Sequence, residues 1–180
     1  MSINKTLITL AITLQISFSA VAGQAEIDQI EQAAGVLNIA KLQSISTQVN
    51  GYEQALAYYR IGLSANLTGQ TEQAINAIDQ AIELLEQLDE SSIDDVEIKA
   101  LLAQVYGYKI ALEPIKGMYY GPKSNTTISA AETLAPNNPR VQLVKGISKL
   151  NTPAMFGGSD KAAFQAFDKA IHAYATDQNS

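Results

Sequence analysis

Residues 58–81, YYRIGLSANLTGQTEQAINAIDQA, place small and bulky side chains at Tyr58, Ile61 and Gly62, and again at Ala74, Ile78 and Ala81. Offsets of three and four residues gather each set on one helix face. The spacing predicts two short helices folded back on one another. The first presents Tyr58, Ile61, Gly62 and Ala65, and the second presents Ala74, Ile75, Ile78, Ala81 and Ile82. Gly62 and Ala74 carry too little side chain to hold two backbones apart, so the pair can pack closely. Gly69 stands where a helix end calls for positive φ, and Thr71 is placed to cap the helix that follows. A single pair of this kind cannot bury its own apolar faces, so it must stack on neighbours.

The rest of the chain supplies those neighbours. Residues 26–42 carry Ile27, Ile30, Ala34, Leu37 and Ala40 at helical spacing and read as one amphipathic helix, with Gly35 a mild weakness. Asn50 with Glu53 has capping-box spacing and opens the helix bearing Tyr52, Leu56, Tyr59 and Leu63. Its return helix is expected over 72–88. Ser92 with Asp95 repeats the capping-box spacing ahead of a helix reaching Leu112, with Ile98, Leu101, Leu102, Val105, Tyr106 and Ile110 as its stripe. Asn138 followed by Pro139 is a start signal of a cap and a first helical residue. Ser159 is a natural cap for a last helix over 160–174, beyond which the chain is expected to fray.

Three segments thus share one scaffold of small residues. Gly62, Ala74, Ile78 and Ala81 correspond to Ala103, Ser124, Ile128 and Ala131, and to Gly146, Ala163, Phe167 and Ala170. This resembles the tetratricopeptide repeat, whose pattern runs W-x2-L-G-x2-Y, then A-x3-F, then a proline, supplied here by Pro136. No unit has the tryptophan, and Ala65 and Lys149 replace the tyrosine. The phrases GPKS and NPRVQLVKGISKLNTPAMFGG are similar to those of exported bacterial proteins of this type. The resemblance implies an all-α fold in which antiparallel helix pairs stack as a short α-solenoid, with residues 26–42 as a cap. It also implies a protein or peptide partner lying along a groove of the first helices.

Composition removes several alternatives. With 12 Lys and Arg against 18 Asp and Glu, the net charge of −6 repels phosphate backbones, so nucleic acid is not an expected partner. Cysteine is absent, which excludes disulfides, thiolate metal sites and a cysteine nucleophile. One histidine, His172, leaves no cluster for a metal ion, and its spacing from Asp168 reads as a surface contact along a helix. Neither catalytic residues nor a cofactor is expected. The string GMYYGPKS faintly matches a phosphate loop, but Pro122 stands where the loop needs a glycine N–H. Residues 1–22 read as a secretory signal: Lys5, an apolar stretch over 7–18, and Ala20-Val21-Ala22 as the cleavage site, with Ala25 a second boundary. The mature protein, residues 23–180, is then expected in the periplasm or outside the cell, without stable membrane insertion.

Two places are candidates for binding. Residues 113–122 and 151–159 are insertions between the helices of the second and third units, expected to project as neighbouring loops from one edge of the stack. They carry Met118, Tyr119, Tyr120, Met155 and Phe156. Those side chains either fold back to plug the stack or form a recognition edge for a peptide. A carrier reading is the alternative, in which both loops close a pocket around a small apolar ligand. The second candidate is the groove of the first helices, with Tyr52, Tyr59, Arg60, Asn66, Tyr108 and Lys109.

Overall fold

The computed structural model describes residues 23–177, and every regular element among them is helical. Helix α1 covers residues 23–35. It is followed by α2 (Ile39–Ser46), α3 (Gly51–Leu67), α4 (Thr71–Ser91), α5 (Val96–Leu112), α6 (Gly117–Leu134), α7 (Pro139–Asn151) and α8 (Asp160–Asp177). Single 3₁₀ turns, Pro114–Lys116 and Ala154–Phe156, precede α6 and α8. The fold is all-α, with antiparallel helix pairs stacked one on the next. The expected secretory signal lies outside the described residues.

The small-residue scaffold is the packing seam of each pair. A Cβ built on Gly62 would stand 2.6 Å from Ile78 Cδ1, so α3 and α4 touch where the spacing put them. A Cβ on Gly146 would run into the ring of Phe167 on α8. In the second unit the same station is a hydrogen bond, Ser124 Oγ donating to the Ala103 carbonyl at 2.9 Å. Gly69 closes α3 at φ 78°, a conformation that costs other L-residues but not glycine.

Three local expectations need correction. Residues 26–42 are not one helix: α1 stops at residue 35, Leu37 takes φ 53°, and Asn38 accepts a hydrogen bond from Lys41 N at 3.0 Å. Capping α2 in this way satisfies a free backbone donor, and the turn lets Ile30 and Leu42 both enter the core. The leading segment is therefore a fourth helix pair. The caps also shift. Gln70, not Thr71, precedes α4, and Asp95, not Ser92, caps α5, accepting from Glu97 N and Ile98 N. Asn50 makes no side-chain cap. Asn138 and Ser159 cap as expected.

The largest correction concerns residues 113–122, which do not form a loop. One 3₁₀ turn leads straight into α6, so Met118, Tyr119, Tyr120 and Pro122 all lie in its first turns. Proline disfavours helix in the residue before it because its Cδ meets that residue's Cβ; Gly121 has none. The phosphate-loop string is part of this helix.

The pairs form two layers. Along the first helices, α3 meets α5 and α5 meets α7, whereas no Cα of α4 comes within 8 Å of α2 or α6. The first helices therefore lie on the tighter side of the stack. One core runs from Ile30 on α1 through Leu56, Ile78 and Leu85 to Leu101, Val105 and Tyr106 on α5. A second, smaller core joins α5, α6 and α7 through Ala100, Ala103, Ile128, Ala131, Val141 and Val144. No described helix is long and apolar enough to cross a membrane.

Candidate binding faces

On α6 the expected loop aromatics are split between two roles. Tyr120 is half-buried and stacks on Tyr106, centroids 5.4 Å apart. Tyr119 sits edge-on to Tyr120 at 4.8 Å and stays exposed, as does Met118. Lys123 lies 4.9 Å from the Tyr119 ring centroid and 5.4 Å from that of Tyr106. Its ammonium and the Tyr106 hydroxyl both donate to Glu86 Oε1 at 2.6 Å. Burial alone would raise the Glu86 pKa, but those two donors hold it below the usual carboxylate range. The same contact with Glu86 raises Lys123. Burial, then the Glu86 hydrogen bond, pushes the Tyr106 hydroxyl upward. The cluster ties α4, α5 and α6 together, and its cation sites are already taken by the chain's own lysine.

In the third unit, residues 151–159 do form a connecting turn. Met155 and Phe156 are exposed on it. Its backbone is closed by Gly158 packing against the Thr152 carbonyl, where no Cβ fits, and Lys149 Nζ donates to the Gly157 carbonyl at 2.9 Å. The turn does not meet its expected neighbour: no Cα of Ala154–Phe156 lies within 8 Å of α6 or of Pro114–Lys116. The reason is the helical conformation of residues 117–122, which winds the insertion of the second unit into α6 instead of letting it project. An open depression of about 220 Å³ lies elsewhere, between α3 and α4, lined by Gln54, Tyr58, Gln80, Glu83, Leu84 and Gln87.

The groove candidates divide more sharply. Tyr59 is buried, edge-on to Tyr108 with centroids 6.0 Å apart, and burial pushes its hydroxyl up to about 12. It is a core residue. Lys109 is buried as well, its ammonium held between Asp79 and Glu113. Burial works against that charge, but the two carboxylates hold its pKa above the usual lysine value. A cation already neutralised by two acids is a poor grip for a partner. Arg60 reaches across to Glu31 on α1 at 2.7 Å. Tyr52 is half-buried; burial pushes its hydroxyl up to about 12, and that oxygen has no hydrogen-bond partner. Asn66 remains exposed and donates to the Tyr108 hydroxyl at 2.9 Å, linking α3 to α5.

Asn66 and Tyr108 belong to a strip that the groove reading missed in part. One, four and five residues after the small residue of each first helix stand Leu63, Asn66 and Leu67; Gln104, Gly107 and Tyr108; Ile147, Leu150 and Asn151. None of these nine is buried. Amides alternate there with aliphatic side chains on the tighter side of the stack. The signal was available, because the register that identified Gly62, Ala103 and Gly146 also assigns these positions. Asp168 and His172 are in contact as expected for a helix surface, through His172 Nδ1 and the Asp168 carbonyl at 2.7 Å. No group of three His, Asp or Glu side chains among the described residues is placed to hold a metal ion.

Neither a family model nor a curated protein matches the chain. Among solved structures, the chain is similar to "MamA MSR-1 C2" at 17% identity, covering 87% of this chain and 99% of that one with a TM-score of 0.28. A likeness that distant carries no weight, and the assignment of helical repeats rests on the packing described above.

Proposed function

We propose that this chain is an exported, non-catalytic module of tetratricopeptide type that holds a segment of another protein along its first helices. The observation that supports this reading is the open strip from Leu63 to Asn151. Three successive first helices leave the same register unburied, and on α3 and α5 the positions beside it (Ile61, Ser64, Ala65, Leu102, Val105 and Tyr106) are buried, so the opening recurs with the repeat. Asn66 and Gln104 can bond the backbone of an extended segment, and Leu67, Ile147 and Leu150 can take its apolar side chains. A net charge of −6 favours a segment with basic residues. The exposed Met155 and Phe156 would extend the contact at the third unit.

The test is capture of partners by the exported protein after cross-linking in cells, read by mass spectrometry. Leu67→Glu with Leu150→Glu changes two exposed positions, so folding is expected to be unchanged while partner recovery falls at least tenfold. Recovery equal to that of the wild type would refute the strip as the binding face. Cell fractionation with N-terminal sequencing checks export, with a first residue of Gly23 or Glu26 expected.

A further inference from the structure

Among the described residues, the third unit leaves open the surface the first unit uses to continue the stack. Leu143 stands three residues before Gly146, as Tyr59 stands three before Gly62. Ile171 and Tyr174 follow Phe167 by four and seven residues, as Ile82 and Leu85 follow Ile78. In the first unit α5 covers these stations: Tyr59, Ile82 and Leu85 are 4%, 5% and 0% exposed. In the third unit Leu143, Ile171 and Tyr174 are 36%, 64% and 43% exposed. Phe164, also largely exposed, widens the patch and lies edge-on to Phe167 at 6.4 Å. This face of α7 and α8 is thus an inter-repeat interface that nothing among the described residues covers.

We propose that a second copy of this chain covers it, α8 against α8 about a two-fold axis. The spacing of the stripe on α8 argues for this occupant. Phe164, Phe167, Ile171 and Tyr174 are separated by three, four and three residues, a pattern that reads the same in both directions. Two antiparallel copies therefore bring Phe164 onto Tyr174 and Phe167 onto Ile171, twice over, as an isologous interface requires. The other end of the stack is no match. Apart from Val36 and Leu37 in the turn, α1 and α2 expose Asp28, Gln29, Gln32, Lys41 and Gln43, which would strand apolar surface against polar in a head-to-tail stack.

Light scattering over a concentration series tests the proposal on the full chain. The wild type is expected at twice the chain mass. Ile171→Glu is expected at the chain mass, or with dimer dissociation at least tenfold more favourable, with unchanged circular dichroism because Ile171 is exposed and with a melting temperature that no longer rises with protein concentration. A wild type at the chain mass overturns the proposal, whether a partner protein or residues 1–22 cover the patch instead. An Ile171→Glu protein that remains double overturns it as well. The orientation is read separately, since the chain has no cysteine of its own. Positions 164 and 174 are about 15 Å apart on one helix and cannot bond within a chain. Phe164→Cys combined with Tyr174→Cys is expected to give a covalent dimer on oxidation. Phe164→Cys alone is expected to give none, and a covalent dimer formed by that single variant overturns the antiparallel arrangement.

Discussion

The two cores of this molecule are built from the same register but filled differently. From α1 to α5 the seam holds Leu, Ile and Tyr side chains that reach across several helices. From α5 to α7 it holds six smaller side chains, Ala100, Ala103, Ile128, Ala131, Val141 and Val144, and the rim is bridged by charge. Lys145 bonds Glu132, and Arg140 pairs with Glu97 at 2.8 Å, with Asn138 donating to the same Glu97 side chain. The comparison teaches that the same small-residue register can be held by apolar volume or by small residues sealed at the rim with ion pairs. Apolar area removed from water stabilises by about 25 cal/mol per Å², whereas an exposed ion pair contributes about 0–1 kcal/mol. The first half should therefore open less readily than the second.

The sharpest way to break this comparison is to truncate one side chain in each core. Leu85→Ala is expected to lower the unfolding free energy by about 2–5 kcal/mol, since a fully buried leucine leaves a cavity that α4 and α5 cannot close. Val144→Ala, in the smaller core, is expected to cost about 1–2 kcal/mol. Urea denaturation of both variants decides it, and equal losses would mean that the second core carries as much as the first. Native-state hydrogen exchange should agree, with α7 exchanging before α3 and α4.

A pH series sharpens the role of charge. Glu86, Glu113 and Glu132 all have carboxyls held below their ordinary value, Glu86 by Lys123 and Tyr106 against its burial, Glu113 by Lys109 and Glu132 by Lys145. A depressed folded pKa contributes stability above the unfolded value and loses it as pH falls through the folded one. Melting temperature is thus expected to hold from neutral pH to about 4.5 and to fall below it. On the alkaline side Tyr52 and Tyr59 are pushed up to about 12 by burial, and Lys109 and Lys123 are raised by their acid partners. Raised values reverse the direction: stability is complete below about pH 10 and declines as pH rises past it. A melting temperature unchanged between pH 5 and pH 3 would mean that these pairs contribute nothing to the folded state.

The smallest expected effect is at Tyr52, which lies on α3 with its hydroxyl buried and unpaired. Tyr52→Phe removes a polar group that has lost its water without gaining a partner, so stability is expected to be unchanged or to rise by about 1 kcal/mol. The alkaline limb of the pH profile should also flatten slightly. A loss greater than about 1 kcal/mol would show that the hydroxyl is bonded after all.

Much of this architecture could be read along the chain, at particular residues. Gly62, Ala103 and Gly146 announce where paired helices touch, because only a side chain of hydrogen or methyl size admits a second backbone. Asn138 and Pro139 announce a helix start through local chemistry alone. The groove residues were legible only in part: Asn66 and Tyr108 face outward, but Tyr59 and Lys109 look equally suited to a partner until their neighbours are known. Burial depends on which helix arrives from elsewhere, and Tyr59 is packed against Tyr108 on α5, far along the chain.

The same distinction separates what the sequence by itself determined from what only the tertiary structure decided. Helix pairing and the register of the stack follow from small residues at fixed offsets, since steric contact between adjacent segments is a local matter. The break after residue 35, the winding of residues 117–122 into α6 and the separation of Met118 from Met155 were decided by packing, because each trades a local preference for contacts with distant helices. So was the fate of three equivalent stations, buried at Tyr59, Ile82 and Leu85 and open at Leu143, Ile171 and Tyr174. Their side chains are alike in kind, and what tells them apart among the described residues is whether another helix pair packs on them.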